Sequence, residues 1–232
     1  MGYNNNMETK SNIFKDFFTK QEESLLRNLV EANRMLEPNS SRFAPMIIKS
    51  MSRQQIEFVV PEDIKEKLLN LAKQFVDDPD LELTHYQYLD YYGKYGEGQS
   101  PNLPPHLDTE NYYTKVSIDY QMSSNIDWAI VVEDEKFILK DNEVLVFEAS
   151  ERIHWRDPVI LKENDRCEVI VFHFSNKFDH QPYAEKQMNK EERNIIIEKH
   201  NNIPRMKIYR EKFFKELEEI ERKNGGARKD NA

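Results

Sequence analysis

From Leu81 onward the apolar residues stop recurring at helical spacing and fall instead into short runs and near-alternation. Strands are expected at Leu83–Tyr92, Tyr113–Met122, Trp128–Val132, Val144–Phe147, Ile153–Trp155 and Arg166–Phe174. Turn-forming segments separate them at Gly93–Pro105, Ser123–Asp127, Lys140–Asn142 and Lys162–Asp165. Each short strand has two faces to cover and too little length to cover either alone. So many of them in about 100 residues must close into a sandwich or barrel.

The flanks read differently. Ile13–Leu36 carries Phe14, Phe17, Phe18, Leu25, Leu26, Leu29 and Val30 at roughly helical spacing, and Glu37-Pro38-Asn39-Ser40 ends it. Ile56–Val60 is a short strand candidate. Pro61 then opens a second helix, with Glu62 and Asp63 in the turn where acids suit the helix dipole. Helices return at Lys190–His200 and Arg205–Lys223. Three units follow: an N-terminal helical buttress over 1–80, a β core over 81–180 and a C-terminal helical extension over 181–232. The terminal apolar stripes are read as packing that buttresses one sheet of the barrel. The last helix, with Phe213, Phe214, Leu217 and Ile220, is also a candidate homodimer contact.

Charge narrows the partners. The formal charge is −9, and residues 77–183 carry 9 Lys and Arg against 22 Asp and Glu, net −13. A grip on nucleic acid needs a basic face, so DNA and RNA are disfavoured and cationic or zwitterionic substrates are favoured. With 13 Phe, 11 Tyr and 2 Trp the chain is too aromatic to be disordered. Cys167 is the one cysteine, which excludes an intrachain disulfide and a cysteine-based zinc site. Met1–Lys20 has no secretory pattern, and no window approaches the ~18–20 apolar residues of a membrane span. The expected location is cytoplasmic.

His106 and Asp108 lie two apart, so on an extended backbone they share a face and can bite one metal ion together. His154, after the apolar run Val144–Phe147, offers a third ligand. Two imidazoles and one carboxylate on one side of a metal leave the other side open, as non-haem Fe(II) oxygen chemistry requires. Arg166 leads into the apolar run Cys167–Phe174, a costly place for a cation unless an anion meets it. It is the candidate partner for the far carboxylate of a bidentate cosubstrate; a barrel-edge ion pair with Glu168 or Glu143 is the competing reading. His173 lies an odd number of residues from Arg166 and is expected to face away from the pocket, and Cys167 to be a small buried hydrophobe.

Over Thr84–Asn176 the sequence resembles the Fe(II)/2-oxoglutarate-dependent dioxygenases, the prolyl-4-hydroxylase-like branch most of all. The resemblance rests on His106-x-Asp108, the distal His154, the basic Arg166 beyond it, and the block Glu143–Phe147 followed by Ile153-His154-Trp155-Arg156-Asp157-Pro158. It implies a mainly β double-stranded β-helix, jelly-roll or cupin-like, with flanking helices. It implies Fe(II) on His106, Asp108 and His154, and 2-oxoglutarate as cosubstrate, with ascorbate as a candidate auxiliary. It implies that Arg166, with Tyr120 and Tyr92 or Tyr91, binds that cosubstrate, although Tyr120 reads equally well as a core tyrosine. The expected reaction hydroxylates a C–H bond of an amino acid or peptidyl residue. Desaturation or cyclisation, a cupin-type metalloenzyme without 2-oxoglutarate, and a non-catalytic binding module on the same barrel are the alternatives.

Overall fold

A computed structural model describes residues 11–37, 40, 41, 43–96, 100, 101, 103–108, 114–176 and 190–223. Ten strands are described: β1 (Asn12–Phe14), β2 (Met46–Ile48), β3 (Arg53–Ile56), β4 (Leu81–Tyr92), β5 (Val116–Ser124), β6 (Ile130–Val132), β7 (Glu135–Phe137), β8 (Glu143–Phe147), β9 (His154–Arg156) and β10 (Arg166–Asn176). The major sheet is antiparallel in the order β1-β8-β5-β10-β4-β3-β2, and the minor sheet in the order β7-β6-β9. From β4 onward the chain alternates between them. β4 is major, His106 bridges to β9 in the minor, β5 is major, β6 and β7 minor, β8 major, β9 minor and β10 major. This winding is a double-stranded β-helix, and the chain is mainly β with flanking helices.

Two helices cover the outer face of the major sheet: α1 (Lys20–Arg34) and α2 (Glu62–Ala72). Leu26, Val30, Ile64 and Leu68 pack there against Val116, Ile118, Tyr120, Ile170, Phe172 and Phe174, all buried. Each such side chain contributes about 1.5–3 kcal/mol on leaving water. The inner face of the same sheet turns Leu89, Tyr91, Cys167, Val169 and Val171 inward. Because both faces are covered, β10 is apolar almost throughout rather than alternating.

α1 starts at Lys20, later than the periodicity of Ile13–Leu36 suggests. Thr19 and Glu22 form a reciprocal capping box that sets the start, and Asp16 upstream takes a left-handed turn with φ of 49°. Phe14 is thereby free to lie in β1, which pairs with β8 at the sheet edge. Asn142, with φ of 62°, accepts from Phe18 N at 3.1 Å and donates to Phe18 O at 2.8 Å, tying this segment to the turn before β8. The first 80 residues thus supply three strands as well as two helices.

A four-residue turn of helix, α3 (Gly93–Gly96), follows β4. The C-terminal helices are α4 (Lys190–Asn201) and α5 (Pro204–Lys223). Met206, Phe213 and Leu217 of α5 bury against Leu107, Val131, Ile153 and Trp155, on the outer side of the minor sheet. The two ends therefore cover different sheets, not one. Phe213 and Leu217 are spent on that packing, which leaves Phe214 of the expected dimer contact partly exposed. No helix among the described residues is long and apolar enough to cross a membrane.

Candidate metal centre

His106 N donates to His154 O and His154 N to His106 O, both at 3.0 Å. This exchange brings the two rings to one side, with centroids 4.3 Å apart. Asp108 N donates to Ala149 O at 3.0 Å, which holds the third residue at the same end of the barrel. His106 Nδ1 lies 2.8 Å from Pro104 O and His154 Nδ1 lies 3.0 Å from Arg152 O. A carbonyl can only accept, so each Nδ1 carries the proton and each Nε2 presents a lone pair inward.

Those lone pairs face a carboxylate oxygen. Asp108 Oδ1 is 3.5 Å from His106 Nε2 and 3.6 Å from His154 Nε2. One ligand atom from each of the three residues lies within 4.8 Å of the others. Metal bonds of about 2.1 Å at right angles would put adjacent donor atoms about 3.0 Å apart, so Asp108 Oδ1 needs to close by about half an ångström on each imidazole nitrogen. Three acceptors converging with no donor between them repel unless a cation sits at their common point. One metal ion satisfies all three at once. Without an ion, protons on the imidazoles take the cation's place: burial alone would raise the Asp108 carboxyl, but charge on His154 and His173 and hydrogen bonds from His106 and His154 hold it well below the usual carboxylate range.

The trio opens onto a cavity of about 380 Å³ lined by residues of β3, β4, β5, β10 and α5, including Arg53, Tyr91, Asp119, Val171, His173 and Arg210. His173 was expected to face away, yet its Nε2 is 3.6 Å from Asp108 Oδ2. The odd spacing from Arg166 does put the two on opposite faces of β10. It is Arg166 that is outside.

Arg166 belongs to a buried ion network under α1. Its Nε and Nη2 donate to Asp90 Oδ1 and Oδ2, each at 2.8 Å, and Nη2 is 3.2 Å from Glu168 Oε1. Arg34 of α1 reaches both acids, at 3.6 Å and 3.5 Å, while Tyr88 and Ser123 donate to Glu168. The competing reading, an ion pair with Glu168, describes the side chain, and the cosubstrate role is corrected. Tyr120 is also misplaced: it is buried beneath α1, edge-on to Phe18 at 4.8 Å, with its hydroxyl 3.5 Å from Glu23. Tyr92 pairs in register with Arg166, shares its face and lies under the guanidinium at 5.6 Å. Tyr91, one residue earlier, does line the cavity.

No protein-family model matches the sequence, and no curated protein matches it either. Solved structures do. The non-haem α-ketoglutarate-dependent epimerase SnoN of nogalamycin biosynthesis superposes with a TM-score of 0.55 at 10% identity, over 72% of this chain and 79% of that one. HygX from Streptomyces hygroscopicus, solved with nickel and 2-oxoglutarate bound, superposes at 0.50 with 14% identity, over 73% and 84%. The chain has the fold of the 2-oxoglutarate- and Fe(II)-dependent oxygenases. A viral collagen prolyl hydroxylase superposes at 0.47 with 12% identity, too low to single out that branch of the oxygenase fold.

One inward residue escaped the sequence reading although the signal was there. The two-residue spacing that pairs His106 with Asp108 also pairs His154 with Arg156, which is 3% exposed inside the barrel. Asp119, Arg53 and Arg210 had no such spacing to announce them.

Proposed function

We propose that this chain is an Fe(II)- and 2-oxoglutarate-dependent oxygenase that hydroxylates a C–H bond of an amino acid or peptidyl residue. The observation that carries the reading is the convergence of His106 Nε2, His154 Nε2 and Asp108 Oδ1 with both Nδ1 protons already committed to backbone carbonyls. These three residues would hold Fe(II). With the keto acid bound, the metal supplies dioxygen activation coupled to oxidative decarboxylation to succinate and carbon dioxide.

The chain's own share is positional. Pro104 O and Arg152 O fix the tautomer and the plane of each ring. Asp108 Oδ1 faces His106 and His154, while Oδ2 faces His173 at 3.6 Å. Leu89, Ile130 and Val171 give the cavity apolar walls that limit water near the reacting atoms. Arg53 and Arg210 line the same cavity and donate to neutral groups, Arg53 to the Tyr91 hydroxyl and Gln55 and Arg210 to Pro105 O and Asn201. In a chain this acidic, two such cations support a substrate that brings its own carboxylate, as an amino acid or peptide terminus does.

Arg166's commitment to Asp90 favours a second reading, a cupin-type metalloenzyme that needs no 2-oxoglutarate. Succinate release separates the two. The protein with Fe(II), 2-oxoglutarate and a panel of amino acids and peptides should release succinate, with one substrate gaining the mass of one oxygen. Metal-dependent turnover without succinate would favour the second reading. Loss of two hydrogens would indicate desaturation or cyclisation.

A further inference from the structure

We infer that Arg156, and not Arg166, receives the far carboxylate of the keto-acid cosubstrate. The inference rests on the function proposed above and assigns a residue within that site. Arg156 is a guanidinium enclosed by the barrel, 3% exposed. Its Nη1 donates to Trp128 O at 3.4 Å, and its plane lies over the Trp128 ring at 4.9 Å. Its Nη2 is 4.0 Å from Asp119 Oδ2, too far for a hydrogen bond, and has no hydrogen-bond partner among the described residues. A buried N–H on a charged group without an acceptor is costly, and an arriving carboxylate oxygen supplies the acceptor.

The depth is right. Arg156 follows His154 by two residues on β9, so the two side chains share the inner face about 6.6 Å apart along the strand. The two carboxylate carbons of an extended five-carbon dicarboxylic acid lie about 5 Å apart. A keto acid with its oxo group and near carboxylate turned to the triad would carry its far carboxylate to this level. Arg156 stands behind the cavity wall, its Nη2 4.0 Å from Asp119, which lines the cavity, and the two cations of the lining itself do not stand at this level. Arg53 pairs with Tyr91, six residues along β4 from the His85 that opposes His173, or about 20 Å. Arg210 is on α5, donating to Pro105 O at 2.9 Å. Asp119, whose Oδ1 accepts from the Ser117 hydroxyl at 3.0 Å, is the opposing charge. It competes with the cosubstrate for Arg156 and moderates the affinity.

The test compares 2-oxoglutarate with 2-oxopentanoate, which has the same chelating head and a methyl group in place of the far carboxylate. Each is titrated anaerobically into the Fe(II)-loaded protein, and the visible charge-transfer band gives its dissociation constant. The ratio cancels effects on the metal and on the head group. The wild type should prefer 2-oxoglutarate about thirtyfold or more, on the scale of one charge-assisted hydrogen bond. Arg156→Met should bring the ratio near unity, Asp119→Asn should raise it, and Arg166→Met should leave it unchanged. The double variant Asp119→Asn, Arg156→Met removes both buried charges together and should also give a ratio near unity should the single variant fail to fold. A wild-type ratio near one, or a preference that survives the loss of Arg156, would overturn this assignment alone. No band with either acid in the wild type would overturn it together with the proposed function.

Discussion

Replacing Arg166 by methionine should cost stability and leave the metal centre intact. Asp90 is fully buried, and Arg166 forms both of its short ionic hydrogen bonds. Removing one member of a buried pair costs about 3–5 kcal/mol, whereas an exposed pair is worth about 0–1. Arg166 is 35% exposed, and Asp90 would keep the Tyr95 hydroxyl at 3.2 Å and Arg34 at 3.6 Å. The expected loss is therefore intermediate, about 2 kcal/mol, or about 4–8 °C in Tm for a domain of this size. Asp90→Asn added to the same protein removes the stranded charge and should recover half or more of the loss. Denaturant melts of the wild type, the single and the double variants measure all three values. A single variant as stable as the wild type would refute the network, and a double variant less stable than the single would refute the stranded-charge argument.

Other expectations follow from the same contacts. A Cβ on Gly93 would lie 1.7 Å from Lys162 O, a backbone atom that cannot swing aside, so Gly93→Ala should destabilise by about 1–3 kcal/mol in the same melts. Burial would raise the Glu168 carboxyl, but hydrogen bonds from Ser123 and Tyr88 and the charges of Arg166 and Arg34 hold it below its ordinary 4.5. A folded carboxyl held low contributes stability that is complete above that ordinary value and is lost as pH falls through the folded one. Tm should therefore drop as the pH is lowered from about 6 towards 3, and Glu168→Gln should flatten that drop; an unchanged slope would remove Glu168 from the account. Trp155 and Phe213 pack α5 onto the minor sheet, so Phe213→Ala should cost about 3–5 kcal/mol and loosen α5 in hydrogen exchange before the major sheet opens.

What the sequence made legible was local. Short apolar runs and near-alternation placed β4, β5, β8, β9 and β10 within a few residues, because strands covered on both faces are apolar over most of their length and end at polar turns. The two-residue spacing of His106 and Asp108 placed both on one side. Parity along β10 correctly put Arg166 and His173 on opposite faces, but the pocket was assigned to the wrong one. That choice depended on Asp90 and Arg34, residues 76 and 132 positions away from Arg166, whose approach is a property of the folded sheet. The edge pairing of β1 with β8 is equally long-range, which is why Phe14, Phe17 and Phe18 read as a helical stripe. Arg156 was within reach: the spacing rule applied to the first histidine applies to the second.

The claim on which the rest depends is that His106, Asp108 and His154 bind one metal ion and leave room for a chelating keto acid. Under argon, one equivalent of Fe(II) and one of 2-oxoglutarate added to the wild type should produce a single visible charge-transfer band that saturates at that stoichiometry, and His154→Ala should abolish it. A wild-type protein that shows no band, or a His154→Ala protein that shows it undiminished, would contradict the account.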